Sequence, residues 1–330
     1  MKTDQSTSAG NADDGRLAAP PASNITSAAP IRFTEKLREL GAIFGMRVSE
    51  LFKPGSASHV LADLDEYEAM LKKYSVRGLK GARAFEIGFG ARPLRLFALA
   101  ASGADVTGSD LDVPLLRCSP REIAAMVRSN GAERALKSVV RFWLFDLAER
   151  RALRKAMAAR GLKLTIDPSR LHVGDAAGID IPARSLDFIY SEDVFEHIPL
   201  EILRNLIAQM AIWLKPGGIA LIRPNVFTGI TGGHLAEWFP NVVKDRLRRR
   251  SEPWEHLRKR RFHPNTYLNG LSLKTYRELF LDNFEILEEK AKNPDLGREY
   301  LTADAADELK HWPEEELFSN QTLFVLRPRR

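Results

Sequence analysis

The chain has 330 residues, 44% of them hydrophobic and 28% charged, which suits a large buried core and excludes a fully disordered chain or a collagen-like repeat. One cysteine, Cys118, excludes an intrachain disulfide and a cysteine-rich zinc or iron–sulfur centre. The net charge of +6 is local: residues 244–262 carry nine Lys/Arg against three Asp/Glu, so the rest of the chain is neutral and a nucleic-acid-coating surface is not indicated.

The start of the chain has no apolar segment of the secretory kind, and no apolar run approaches the roughly 18 residues of a membrane span. With the single cysteine, this predicts a cytoplasmic protein. Residues 1–31 are rich in Ser, Ala, Pro, Asn and Asp. They have too little apolar surface to offset chain entropy and read as a disordered tail. Leu37, Leu40, Phe44, Val48, Leu51 and Phe52 then recur at helical spacing, and Pro54-Gly55 ends that helix. Val60, Leu64, Tyr67, Leu71 and Tyr74 predict a second. The two make an N-terminal helical cap over 32–80.

From residue 82 short apolar runs alternate with helices. Strands are predicted at 82–87, 104–108, 171–173, 186–190 and 219–222, with helices at 94–101 and 200–214. Lys215-Pro216-Gly217-Gly218 is the expected stop of the last helix. This alternation predicts an α/β fold with a doubly wound, mostly parallel sheet. Residues 113–170 interrupt it as a helical insertion. There Ser119-Pro120-Arg121-Glu122 is a capping box with proline at the first helical position, and a basic helix follows from about 132 to 160. Residues 284–287 and 322–326 read as an antiparallel pair.

Between the first strand and its helix lies Phe85-Glu86-Ile87-Gly88-Phe89-Gly90-Ala91-Arg92-Pro93. Gly88 and Gly90 permit a tight turn and close approach of a ligand to the backbone. Asp110, 22 positions after Gly88, ends the next strand, where a carboxylate can take both hydroxyls of a ribose. A dinucleotide loop wants a third glycine where Pro93 stands, and Glu86 favours a ligand with a cationic amino group over a pyrophosphate.

The series Glu86-x-Gly88-x-Gly90, Val106-Thr107-Gly108-Ser109-Asp110, Val173-Gly174-Asp175-Ala176, Leu186-Asp187-Phe188-Ile189-Tyr190-Ser191 and Leu214-Lys215-Pro216-Gly217-Gly218 resembles that of class I S-adenosylmethionine-dependent methyltransferases. The resemblance spans 82–224 and implies a seven-stranded Rossmann-like sheet with an antiparallel last strand. It also implies S-adenosylmethionine as cofactor. Glu86, Gly88 and Gly90 would hold the methionine end, Asp110 the ribose, and Leu111 would lie against adenine. Asp175 would meet the adenine amino group with the Ala176 amide beside it, and Ser191 would lie near the methionine. Arg92 stands where the family often has a third glycine, and it is a candidate for the cofactor carboxylate.

On the acceptor side, Asp193-Val194-Phe195-Glu196-His197 is expected to start the helix after the fourth strand. It resembles the Glu-x-x-Glu-His metal motif of small-RNA 2′-O-methyltransferases, with His234 as a further ligand. In metal-independent relatives the Glu-His pair caps a helix and lines the pocket, and that reading is the one adopted, with no metal assigned. Gly229-Ile230-Thr231-Gly232-Gly233-His234 follows the fifth strand and reads as part of a mobile acceptor lid over 226–275. His234 is the leading candidate for a general base, with His197 second. The expected function is methyl transfer to a small or medium-sized acceptor, an anionic one among the candidates, most readily at a hydroxyl oxygen. The alternatives are a metal-assisted RNA 2′-O-methyltransferase and a non-catalytic S-adenosylmethionine-binding scaffold. The methyltransferase domain is expected to span 81–330.

Overall fold

A computed structural model of the chain describes residues 57–75, 77–240, 251–258 and 266–329. The expected tail over 1–31, the helix over 37–52 and most of the basic stretch 244–262 lie outside these residues.

Helix α1 (Ser58–Tyr74) forms where the spacing predicts it. Its stripe of Val60, Leu64, Tyr67 and Leu71 is at most 3% exposed. There follow β1 (Arg83–Ile87), α2 (Leu94–Ala101) and β2 (Asp105–Asp110). The insertion holds α3 (Pro120–Asn130), α4 (Ala132–Arg141), a π-helical turn at Phe142–Asp146 and α5 (Leu147–Ala159). Then come β3 (Leu171–Val173), β4 (Leu186–Glu192), α6 (Leu200–Trp213), β5 (Leu214–Arg223), α7 (Leu273–Leu281), β6 (Phe284–Ala291) and β7 (Thr322–Pro328).

The seven strands form one sheet in the order β3-β2-β1-β4-β5-β7-β6. The first five are parallel to their neighbours, while β7 runs antiparallel to both β5 and β6. One face of the sheet packs on α1, α2 and α5 through Leu64, Phe97, Leu153 and Phe188. The other packs on α6 and α7 through Phe85, Ile207, Ile222 and Phe280. The expected doubly wound sheet with a reversed last strand is thus the observed one.

The insertion builds a small core of its own from Leu115, Met126, Ala135 and Phe142. Its capping box forms, with the Glu122 amide donating to Ser119 Oγ and the Ser119 amide to the Glu122 carboxylate, both at 3.3 Å. The predicted basic helix is continuous from Ala132 to Ala159 apart from its π-helical turn, and Gly161, at φ +73°, follows it.

Two expected boundaries move. Helix α6 stops at Trp213, and Lys215 to Gly218 belong to β5 rather than to a turn. The residue before Pro216 is disfavoured in helical geometry, so the helix ends early. Lys215 Nζ then reaches both oxygens of Asp187 at 2.8 Å and secures the neighbouring strand. Likewise Phe195–His197 forms a short 3₁₀ turn, not the start of α6, because Pro199 pushes Ile198 to extended geometry and the helix begins only at Leu200.

Helix α1 is fixed across the carboxyl ends of β4 and β5 by a buried polar network. The Tyr67 hydroxyl donates to Glu192 Oε1 at 2.7 Å, and the Tyr67 ring packs 5.4 Å from Phe188 and 5.2 Å from Tyr190. Arg223 donates to both Glu192 oxygens at 2.9 Å and to Glu66 on α1. Tyr67→Phe keeps the ring packing and removes one donor to a buried carboxylate. It should lower stability in urea unfolding by about 1–2 kcal/mol.

Candidate active site

Because β1, β2, β4 and β5 are parallel, Ile87, Asp110, Glu192 and Arg223 all end at one edge of the sheet. At β1 the chain order reverses direction across the sheet, the position where open α/β folds bind ligands.

The Gly88 amide donates to the Ser109 carbonyl at 2.8 Å, and at φ +77° a Cβ on Gly88 would sit 2.2 Å from Val194. No other residue fits that turn. Gly90, at φ +64°, donates its amide to Asp110 Oδ2 at 2.7 Å, and the Asp112 amide donates to Oδ1 at 2.8 Å. Each carboxylate oxygen retains a second lone pair for a ligand hydroxyl. Burial pushes the Asp110 pKa up, opposed by the same two amides. Leu111 beside it is 72% exposed, a large apolar side chain left in the open at the strand end. The Gly174 amide donates to the Asp110 carbonyl, which ties the third motif to β2. Asp175 is exposed and accepts from the Ala177 amide at 3.0 Å, while Ala176 is buried.

Three expected cofactor contacts are engaged within the chain. Glu86 is 1% exposed and faces α1 and α2, not the loop, because side chains alternate along β1. It accepts from the Tyr190 hydroxyl at 3.0 Å and lies 3.5 Å from Arg95. Burial raises its pKa to about 7, with Arg95 opposing. The Ser191 hydroxyl donates to the Ile87 carbonyl at 2.8 Å, stitching the ends of β4 and β1. The Arg92 guanidinium is paired with Glu149 of α5.

On the acceptor side the chain brings Glu196, His197 and His234 together, their ligating atoms all within 4.8 Å of one another. Glu196 Oε1 is 3.9 Å from His197 Nε2 and 3.7 Å from His234 Nε2. Glu196 is 3% exposed, and His234 Nε2 has no hydrogen-bond partner. Burial, then Asp193, raise the Glu196 pKa well above its ordinary value, opposed by the backbone amides of Glu196 and Asn225. Burial, then His197 and His256, lower that of His234 to about 4. Asp193, which the motif puts first, does not join the cluster: its carboxylate accepts from Gln321. Asp193 and His234 both adopt left-handed backbone, at φ +55° and +53°. Such geometry in non-glycine residues collects at functional sites.

The loop after β5 differs from the expected lid. Val226, Thr228, Ile230 and Thr231 are at most 2% exposed. A Cβ on Gly232 would lie 2.1 Å from the Phe227 carbonyl oxygen, and one on Gly233 would lie 2.8 Å from the His256 ring. These glycines permit close packing instead of hinging.

Residues far along the chain hold the loop. Thr231 Oγ1 donates to Asn225 at 2.9 Å, and its amide donates to Asn320 Oδ1 at 3.3 Å. Glu316 accepts from the Thr228 hydroxyl and from the amides of Leu273 and Lys274. Asn269 donates to the Phe195 and Ile198 carbonyls, and its amide donates to the Glu196 carbonyl, clamping the turn that carries Glu196 and His197. No sequence spacing announces Asn269, Glu316 or Asn320.

A family profile described as a methyltransferase domain matches residues 130–222, from the end of α3 through most of β5. Over these residues the chain is similar to a methyltransferase domain. Its seven-stranded sheet with one reversed strand is the fold that the motif resemblance implies, and the enzyme class expected from those motifs stands with it. No curated protein matches the chain. Among solved structures, an S-adenosylmethionine-dependent methyltransferase from Mesorhizobium loti is 15% identical over 81% of this chain and 100% of its own, with a TM-score of 0.41. A putative sarcosine dimethylglycine methyltransferase from Galdieria sulphuraria is 15% identical over 81% and 85%, with a TM-score of 0.38. A Haemonchus contortus N-methyltransferase, in complex with phosphomonomethylethanolamine and S-adenosylhomocysteine, is 19% identical over 80% and 53%, with a TM-score of 0.39. Among the described residues of the methyltransferase domain and α1, no helix is long and apolar enough to cross a membrane.

The buried Glu86 predicts a pH dependence of stability. The folded chain holds its proton up to about pH 7, whereas the unfolded side chain releases it near 4.5. Between those values the folded state binds more protons, so stability falls as pH rises through the window, by roughly 3 kcal/mol from this group. Urea unfolding of Glu86→Gln from pH 4.5 to 7.5 should lack that part of the decline.

Proposed function

We propose that the enzyme transfers a methyl group from S-adenosylmethionine to a hydroxyl oxygen of a small or medium-sized acceptor. The observation that carries the reading is a common edge of the sheet. The Gly90–Asp110 cradle and the Glu196–His197–His234 cluster both lie at the carboxyl ends of the parallel strands, on opposite sides of the β1 end.

The residues at the cradle fit the cofactor. Asp110 has two lone pairs left for the ribose hydroxyls, Leu111 offers an open apolar face to adenine, and Asp175 is free on one oxygen. The glycine loop lets the methionine end approach the backbone. Glu86, enclosed by Tyr190 and Arg95, contributes through the loop instead of by direct contact. When bound, S-adenosylmethionine supplies a methyl group on a sulfonium, and such transfers depend on positioning and exclusion of water. The cluster handles the acceptor, with His234 and His197 as the catalytic pair that orients the hydroxyl and receives its proton. The described part of the N-terminal cap, residues 57–75, the insertion over 113–170 and the described residues of 226–275 would wall the acceptor site.

Two measurements test this reading. Asp110→Ala should weaken S-adenosylhomocysteine binding in calorimetry by about 10- to 100-fold, since charge-assisted bonds to both ribose hydroxyls are lost. An unchanged affinity in folded protein removes the cofactor assignment. His234→Ala should leave that affinity intact and lower turnover of a hydroxyl acceptor by about 10²- to 10⁴-fold. Full turnover in this variant assigns catalysis to positioning alone.

A further inference from the structure

We propose that the outer face of α4, its π-helical turn and α5 docks the protein on the surface of an anionic lipid bilayer. The proposal stands apart from the methyl-transfer reading.

The inner face of this continuous helix is already used. Ala135 and Phe142 enter the small core of the insertion, and Ser138 and Asp146 are buried with them. Farther along, Leu153 and Met157 are buried in the core that packs on the sheet. One apolar stripe is enough to seat a helix. A second runs along the outside. Leu136 is 66% exposed, Val140 48%, Trp143 64% and Leu144 47%. Their spacing of three and four positions lines them up on one face. In a π-helical turn the hydrogen bonds run from i to i+5. Here the turn leaves Trp143 and Leu144 side by side outside while Phe142 stays within. The Phe142 ring meets Trp143 edge-on, centroids 5.6 Å apart, and braces the indole from below. Contiguous exposed apolar side chains of this kind mark interaction surfaces.

The charge beside the stripe is one-sided. The exposed residues of 132–160 include Arg134, Lys137, Arg151, Arg154, Lys155 and Arg160, against a single carboxylate, Glu133. Glu133 is paired with Lys137 at 2.6 Å, Arg134 with Asp112 and Arg160 with Asp65. Among the described residues, no carboxylate pairs with Arg151, Arg154 or Lys155. The helix thus presents an apolar half followed by a cationic half. Leu136 and Lys155 stand roughly 28 Å apart along it.

The partner must therefore be both apolar and anionic along one line of that length. A second copy of the chain would bring the same cations and only Glu133 to meet them. A nucleic-acid backbone supplies the anions but nothing apolar for Leu136 and Val140. A bilayer supplies both. A helix lying in its surface sinks aliphatic side chains below the headgroups and leaves indole at the boundary, while Arg and Lys stems reach back to the phosphates.

The face is also fixed relative to the Gly90–Asp110 cradle. Asn130 donates to Asp112 Oδ1 at 2.8 Å, and Arg134 pairs with the other oxygen, two positions past Asp110. Arg150 donates to the Leu115 and Leu116 carbonyls in the same connection.

The test is co-sedimentation of the full-length chain with large unilamellar vesicles. One set is phosphatidylcholine alone, and the other has about one third phosphatidylglycerol. The chain should bind the mixed vesicles at least about 100-fold more tightly, and the difference should shrink as salt rises. Leu136→Glu and Trp143→Glu should each weaken binding about 10-fold or more. The Arg151→Gln/Arg154→Gln/Lys155→Gln triple variant should weaken it about 100-fold. Ile212→Glu, at an exposed apolar position on α6, should bind like the wild type. Brominated lipid should quench part of the tryptophan fluorescence, and Trp143→Phe should lose that part. The altered side chains face solvent, circular dichroism checks each variant, and Trp143→Glu serves if Leu136→Glu fails to fold. No binding to the mixed vesicles overturns the proposal. So does undiminished binding of both Trp143→Glu and the triple variant, which assigns the affinity to cations elsewhere in the chain. A dimer in sedimentation velocity that Trp143→Glu converts to monomer, with no vesicle binding, gives the face to a second copy and overturns it too.

Discussion

The parallel pairing of β1 with β2 on one side and β4 on the other is the constraint on which the rest depends. It sends four strand ends to one edge, and it makes β1 the strand from which the chain builds outward in both directions. Everything chemically notable follows at those ends. The Gly88 turn leaves β1, Asp110 closes β2, the Glu196 turn leaves β4 and the His234 loop leaves β5. A register slip of one residue in β1 would exchange Glu86 with its neighbours across the sheet and empty the α1 face of its acidic partner.

That constraint also explains the burial of charge around α1. Glu86, Glu192 and Arg223 project from neighbouring strands into a low-dielectric layer, where isolated charges are costly. The layer is tolerable because Tyr67, Arg95, Glu66 and Asp63 complete the network from α1 and α2. Breaking any one link leaves a buried charge exposed to its full desolvation cost, so the network favours a single docking of α1. A helix that looks like a simple amphipathic cover in the sequence is held by polar bonds that specify its position.

Periodicity made most of the fold legible. The strand–helix alternation, the capping box at Ser119 and the stripe on α1 each rest on local rules, and each is observed. Ends of elements near proline were less legible, since Pro199 and Pro216 act on the residue before them and shift boundaries by a few positions. Side-chain direction was the weak point of the site. Glu86, Ser191 and Arg92 occupy the expected motif positions, yet their polar atoms are used within the chain. The glycines of 229–233 look like hinges in one dimension, and only three-dimensional proximity to Phe227, His256 and Asn320 reveals them as packing residues.

The acceptor side illustrates why spacing alone misleads. The Asp193-to-His197 run suggested a ligand set by its intervals, but the left-handed backbone at Asp193 turns that carboxylate to Gln321. The remaining members of the cluster come from two loops that share no sequence interval, brought together because β4 and β5 are adjacent and parallel. Their rigidity is imposed from farther still, by Asn269, Asn320 and Glu316 on segments that close the sheet. The late strands β6 and β7 thus do more than complete a topology. The chain that leads to β7 supplies the acceptors that hold the loop after β5 in place, and a carboxylate with two imidazoles can stay buried close together only where the surrounding backbone is held that firmly.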